Sequence, residues 1–83
     1  MTKQKDMESK GRELFLEKKI DEAEKLLLKA LEAEDDNPID RHFVYNDLIE
    51  LYYKLRNERE DALEKCINFC KEDIERLTEF LHD

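Results

Sequence analysis

Two histidines, two cysteines, one serine and 23 acidic residues, set among 15 Lys and Arg, are the groups in this 83-residue chain that could do chemistry. Cys66, Cys70, His42 and His82 nominally make four metal ligands. A Cys-x-x-x-Cys pair on a helix, however, lacks the tight turn of a structural zinc site, and its spacing suits an apolar stripe better. The same geometry is poor for a disulfide. The acidic run of Asp35, Asp36 and Asp40 has neither the alternating ligand spacing nor the turn glycine of a calcium loop, and Pro38 interrupts it. Ser9 lies on a charged stretch with no histidine nearby in sequence, and no glycine-rich loop is present to cradle phosphate. Carboxylates at helical spacing on charged helices are the expected solvated face. The expectation is therefore no enzyme activity, no cofactor and no metal site.

Charge and hydropathy narrow the partners. The formal net charge of −8 opposes binding to a polyphosphate backbone, and no basic stripe is present, so nucleic acid is excluded as an expected partner. The longest apolar run, Leu26 to Leu28, is far short of the roughly 20 residues that span a bilayer, and the start of the chain lacks the apolar core of a signal peptide. A cytoplasmic protein that does not engage membranes is expected, with its thiols reduced.

Positioning any binding residues falls to helices. Gly and Pro occur once each and 46% of residues are charged with both signs interspersed, which leaves little room for strands. Met7, Gly11, Leu14 and Phe15 share one face of a first helix within Thr2 to Lys19, and Ile20, Ala23, Leu27, Ala30 and Leu31 form the stripe of a second. Asn37 and Pro38 punctuate the chain and open a third helix, to about Arg56, with Val44, Leu48, Leu51, Tyr52 and Leu55 inward. Asn57 with Glu60 reads as the capping-box-like start of a fourth and longest helix, striped by Ala62, Leu63, Cys66, Ile67, Cys70, Ile74, Leu77 and Leu81. Short connections make successive helices antiparallel neighbours. Tyr52 belongs to the inner stripe, whereas Phe43 and Tyr53 project from the other side and could form a contact surface.

Sliding the chain along itself by 39 residues lays Ala23 on Ala62 and aligns two helix-turn-helix units. The run from Ile20 to Glu34, with Asp21, Glu22, Ala23, Lys29, Ala30, Leu31 and Glu32, resembles the second helix of a tetratricopeptide repeat. Gly11 stands twelve residues before Ala23, where that family places a small residue, and Leu14 stands where it prefers an aromatic. Asn46 to Leu55 and Glu60 to Cys66 resemble the two helices of a second, divergent unit, in which Ile49 and Phe69 replace small residues.

The resemblance implies a single all-α domain over 1–83, with repeat one at about 3–35 and repeat two at about 38–81, stacked as a short right-handed α-solenoid of four helices with a long last helix. It further implies a protein-interaction scaffold or adaptor that binds a peptide or helix of a partner in a concave groove lined by Lys5, Glu8, Arg12 and Phe15 of the first helix and Phe43, Asn46, Glu50 and Tyr53 of the third. Glu8 stands where the family's carboxylate clamp has a cation, so the clamp is not carried over. The alternative is a structural subunit that homodimerises through its C-terminal helix, using Ile74, Leu77, Phe80 and Leu81.

Overall fold

A computed structural model describes residues 3–33 and 38–82 of the chain. It contains four helices, α1 (Lys3–Leu16), α2 (Ile20–Glu32), α3 (Pro38–Lys54) and α4 (Ala62–His82), and no strand among the described residues. Helix α1 packs on α2, α3 packs on both of them, and α4 packs on α3 alone. The core forms where the four stripes meet: Ala23, Leu27 and Ala30 of α2, Val44, Leu48, Leu51 and Tyr52 of α3, Leu55 just beyond α3, and Ala62 of α4. Met7, Leu14 and Phe15 close it from α1 and Phe69 from α4. Helix α3 contacts every other helix, but its sequence shows no single clean stripe, because Asp40 and Asp47 are buried while Phe43 and Tyr53 are exposed.

Small residues set the closest approach. A methyl group built on Gly11 would stand 2.7 Å from the Cγ and one Cδ of the fully buried Leu27, so α1 and α2 touch with no side chain between them at this point. The turn that follows ends α1 in a Schellman motif: the Lys18 N–H donates to the Phe15 carbonyl at 3.0 Å and the Lys19 N–H to the Leu14 carbonyl at 2.9 Å. Lys18 consequently adopts φ 65°, a left-handed conformation that glycine takes without strain. Lys18→Gly should therefore stabilise the fold by about 0.5–1 kcal/mol, once the greater freedom of glycine in the unfolded chain is subtracted. A raised urea midpoint with an unchanged slope would report it.

Helix α2 is tied at both ends by its neighbours. Near its end the Ala30 carbonyl, which also accepts the Ala33 N–H at 3.2 Å, receives Gln4 Nε2 from α1 at 3.0 Å, and the Leu31 carbonyl receives Arg41 Nη2 from α3 at 2.8 Å. Near its start, Glu24 accepts the Tyr52 hydroxyl at 2.6 Å and Arg59 Nη1 at 2.9 Å, which joins α2 to α3 and to the connection leading into α4. Burial opposes ionisation of Glu24, but the hydrogen bonds from Arg59 and Tyr52 and the charges of Arg59 and Lys65 outweigh it and hold its carboxyl below the usual range. Tyr52→Phe removes one of these bonds and should lower stability by about 1 kcal/mol, read as a shift in urea midpoint. The effect should vanish in a Glu24→Ala, Tyr52→Phe pair relative to Glu24→Ala alone, because Glu24→Ala removes the acceptor.

Two sequence expectations need correction. Helix α3 ends at Lys54, and α4 starts at Ala62, not at a cap formed by Asn57 and Glu60. The Leu55 carbonyl accepts both the Glu58 and Arg59 N–H groups, so the chain turns through Asn57, and helical geometry resumes only beyond Asp61, whose carbonyl receives the Lys65 N–H at 3.0 Å. The second correction concerns α4, whose apolar residues do not share one buried face. Ala62, Cys66 and Phe69 meet the core, and Asp73 is buried with them, whereas Leu63, Ile67, Ile74 and Leu81 are exposed. Asn37, expected as the cap of α3, lies outside the described residues; Pro38 is the first residue of α3.

Candidate partner-binding groove

Helices α1 and α3 lie side by side and carry the eight residues that the sequence nominated. At spacings of three and four, Lys5, Glu8, Arg12 and Phe15 descend one face of α1, and Phe43, Asn46, Glu50 and Tyr53 descend one face of α3. The Lys5 ammonium sits 5.5 Å from the Phe43 ring centroid, bridging the two helices at one end. At the other end the Lys54 ammonium lies 5.4 Å from the Phe15 ring. Arg12, Phe43, Asn46, Glu50 and Tyr53 are exposed, Tyr53 by 54% and Phe43 by 41%, while Lys5 and Phe15 are half-buried.

Glu8 departs from the expected arrangement. It is 7% exposed and faces Asp47 of α3, itself 5% exposed, so it forms the floor of the α1–α3 seam and not its wall. Burial, reinforced by the hydrogen bond and charge of Glu8 and by the charge of Glu50, pushes the Asp47 carboxyl up to about 8, with Arg12 acting in the opposite direction. Near neutral pH Asp47 therefore keeps its proton and donates it to Glu8 across the α1–α3 seam. Asp47 Oδ2 has no hydrogen-bond partner among the described residues, nor has the Oε1 of the fully buried Gln4, whose Nε2 reaches Ala30 of α2.

Sequence reading missed Asp47 and Gln4, although their positions carry a signal. Asp47 falls between Val44 and Leu51 at helical spacing, and Gln4 precedes Glu8, Gly11 and Phe15 in the same way, so each is a polar residue at a core position. Each of the two exposed rings on α3 also has a cation beside it. Arg56 stacks 3.9 Å from the Tyr53 centroid while donating to the Tyr53 carbonyl at 2.7 Å, and Lys5 attends Phe43.

No protein-family model, curated protein or solved structure matches this chain. Its site must therefore be read from its own geometry. Besides the groove, the structure holds a cavity of about 200 Å³ between the start of α3 and the end of α4, lined by Arg41, His42, Tyr45, Asp73, Arg76 and Phe80. Four of its polar groups pair with one another: His42 Nδ1 lies 2.9 Å from Asp73 Oδ2, and Arg76 Nε donates to the Tyr45 hydroxyl at 2.9 Å. At this volume it falls below the roughly 300–1,000 Å³ of typical ligand pockets, and these contacts act as a clamp between α3 and α4. Among the described residues no group of three or more His, Cys, Asp or Glu is placed to hold a metal ion, and no helix is long and apolar enough to cross a membrane.

Proposed function

We propose that this protein is an interaction module of tetratricopeptide-repeat type, which holds a peptide or helix of a partner protein against the α1–α3 face. The observation that carries the reading is the exposed row of Phe43, Asn46, Glu50 and Tyr53 on α3, set beside Arg12 on α1 and above the buried Glu8 and Asp47. Two partly exposed rings with polar groups between them are the kind of anchors that dominate protein interfaces. The packing order supports the repeat reading: α1 on α2, α3 on α4, α1 on α3 and α2 on α3 is the set of neighbours that two stacked hairpins make when the first helix of the second sits against both helices of the first. Gly11 packed on Leu27 supports it as well, since the small residue is used for close approach of the two helices of one hairpin.

In this reading Phe43 and Tyr53 are the anchors, Arg12, Asn46 and Glu50 fix the orientation of the bound segment, and Lys5 and Arg56 move off the rings that they cover as the partner arrives. The test is a display selection of short peptides on the folded protein, repeated on a Phe43→Ala, Tyr53→Ala double variant. Both positions are exposed, so the variant should keep its helical content. Sequences enriched by the wild-type chain should lose binding at least tenfold on the variant. Equal binding to both would remove the groove from consideration.

A further inference from the structure

The outer face of α4 is apolar and uncovered, and the arrangement of its residues specifies what fits it. Leu63, Ile67, Cys70, Ile74, Leu77 and Leu81 recur at spacings of four, three, four, three and four, the alternation of a coiled-coil seam sustained over about 27 Å of helix. Leu63 and Ile67 are about half exposed, Ile74 is 59% exposed and Leu81 79% exposed, and Cys70 is an exposed free thiol; only Leu77 is half-buried. None of these residues serves the α1–α3 groove.

Within the same molecule, the equivalent face of α2 is already occupied. The shift of 39 residues that relates the two hairpins carries Glu24, Leu28 and Leu31 onto Leu63, Ile67 and Cys70. On α2 these positions are covered by α3: Glu24 accepts the Tyr52 hydroxyl, Leu28 and Leu31 pack against the core, and Arg41 donates to the Leu31 carbonyl. The α4 face is thus the repeated form of a helix-docking surface, and where α2 carries Glu24 it carries Leu63, making it more apolar than its occupied counterpart. The other end of the stack differs. The outer side of α1 presents Asp6, Ser9, Lys10 and Glu13, all exposed, so copies cannot stack head to tail by laying α1 on α4.

We propose that α4 docks against α4 of a second copy of this chain, antiparallel, about a two-fold axis beside Glu72. The spacing of the seam reads the same in both directions, so it is self-complementary in this register. Leu63 lies opposite Leu81, Ile67 opposite Leu77, and Cys70 opposite Ile74, each pair occurring twice. Antiparallel pairing opposes the two helix dipoles and sets Lys71 of each copy within about one turn of Glu75 of the other. The exposed apolar side chains amount to roughly 500 Å² per copy, so the pair removes on the order of 1,000 Å² from water, the low end for a specific interface. An interface of this size makes a weak dimer that dissociates on dilution.

The experiment combines mass with thiol protection. Light scattering coupled to chromatography from about 1 to 300 µM should move from one chain to two. The reaction of Cys70 with a maleimide, followed by mass spectrometry, should slow at least fivefold over the same range, while the half-buried Cys66 serves as internal reference. Ile74→Asp should stay monomeric throughout with unchanged helical content, because Ile74 is exposed in the single chain. Register is tested by mild oxidation: Ile74→Cys should form a disulfide with Cys70 of the second copy, whereas the wild-type chain, whose two Cys70 residues lie on either side of the axis, should not cross-link. A single chain with constant Cys70 reactivity at every concentration overturns the proposal. So does a dimer that survives Ile74→Asp, a Cys70–Cys70 cross-link, which means parallel pairing, or growth beyond two chains.

Discussion

Gly11→Ala should lower the free energy of unfolding by about 1–2 kcal/mol, although alanine is the better helix former by up to about 1 kcal/mol at an interior position. The sign is decided by the neighbour. A β-carbon at residue 11 would meet the branch point of Leu27 at 2.7 Å, closer than carbon atoms approach, and Leu27 is fully buried, so the contact is relieved only by separating α1 from α2 or by forcing Leu27 off its rotamer. Gly11→Val, with two further methyl groups, should leave little folded protein, given the modest core that a chain of this length can build. Coupling gives the decisive check. Leu27→Ala alone should cost about 2–5 kcal/mol through its cavity, but in that background Gly11→Ala should become neutral or stabilising, because the clash is gone and the helix propensity remains. Urea melts of the four proteins provide all the numbers. Additive effects would mean that the two helices do not touch at Gly11.

Asp47→Asn should stabilise the protein at pH 8 by on the order of 2–4 kcal/mol and flatten its pH profile. The folded carboxyl, at about 8, lies above its unfolded value near ~4, so between these values the folded chain binds more protons than the unfolded one. Stability therefore falls as pH rises from about 4 to 8 and levels off above. Asparagine offers an N–H to Glu8 in place of the carboxyl proton and has no charge to lose. Glu24 acts in the opposite sense below this range. Its carboxyl is lowered in the folded state, so its contribution is present above its unfolded value and lost as pH falls below. These two groups together should accordingly place the maximum stability of the wild-type chain at about pH 4. Denaturant melts at pH 5, 6.5 and 8 for both proteins test this, and a wild-type profile that rises between pH 5 and 8 would contradict the buried acid pair.

The element order and most of the core follow from periodicity. Ala23, Leu27 and Ala30, and Val44, Leu48, Leu51 and Tyr52, are inward as their spacing indicates. Helix α4 shows where periodicity stops being informative. Apolar residues occupy adjacent positions in successive turns, Ala62 with Leu63 and Cys66 with Ile67, so the apolar arc is wider than one contact, and nothing in its period says which edge α3 covers. The covered edge includes Asp73, a residue that becomes compatible with burial only once His42 of α3 is placed beside it. At the groove the same limit acts in reverse. The eight nominated positions do lie on adjoining helices, but Glu8 turns inward because Asp47, one residue before Leu48, presents it with a protonated partner that no single-helix pattern contains.

The central claim is that the α1–α3 face is where a partner binds, and backbone amide chemical shifts locate that face directly. A ¹⁵N-labelled chain should be titrated with a peptide enriched by selection on the wild-type protein. The largest shifts should fall on Lys5, Arg12, Phe43, Asn46, Glu50 and Tyr53, with the outward residues of α4 unmoved. Shifts concentrated on Leu63, Ile67 and Ile74, with the α1–α3 face silent, would contradict the account and make α4 the protein's binding surface.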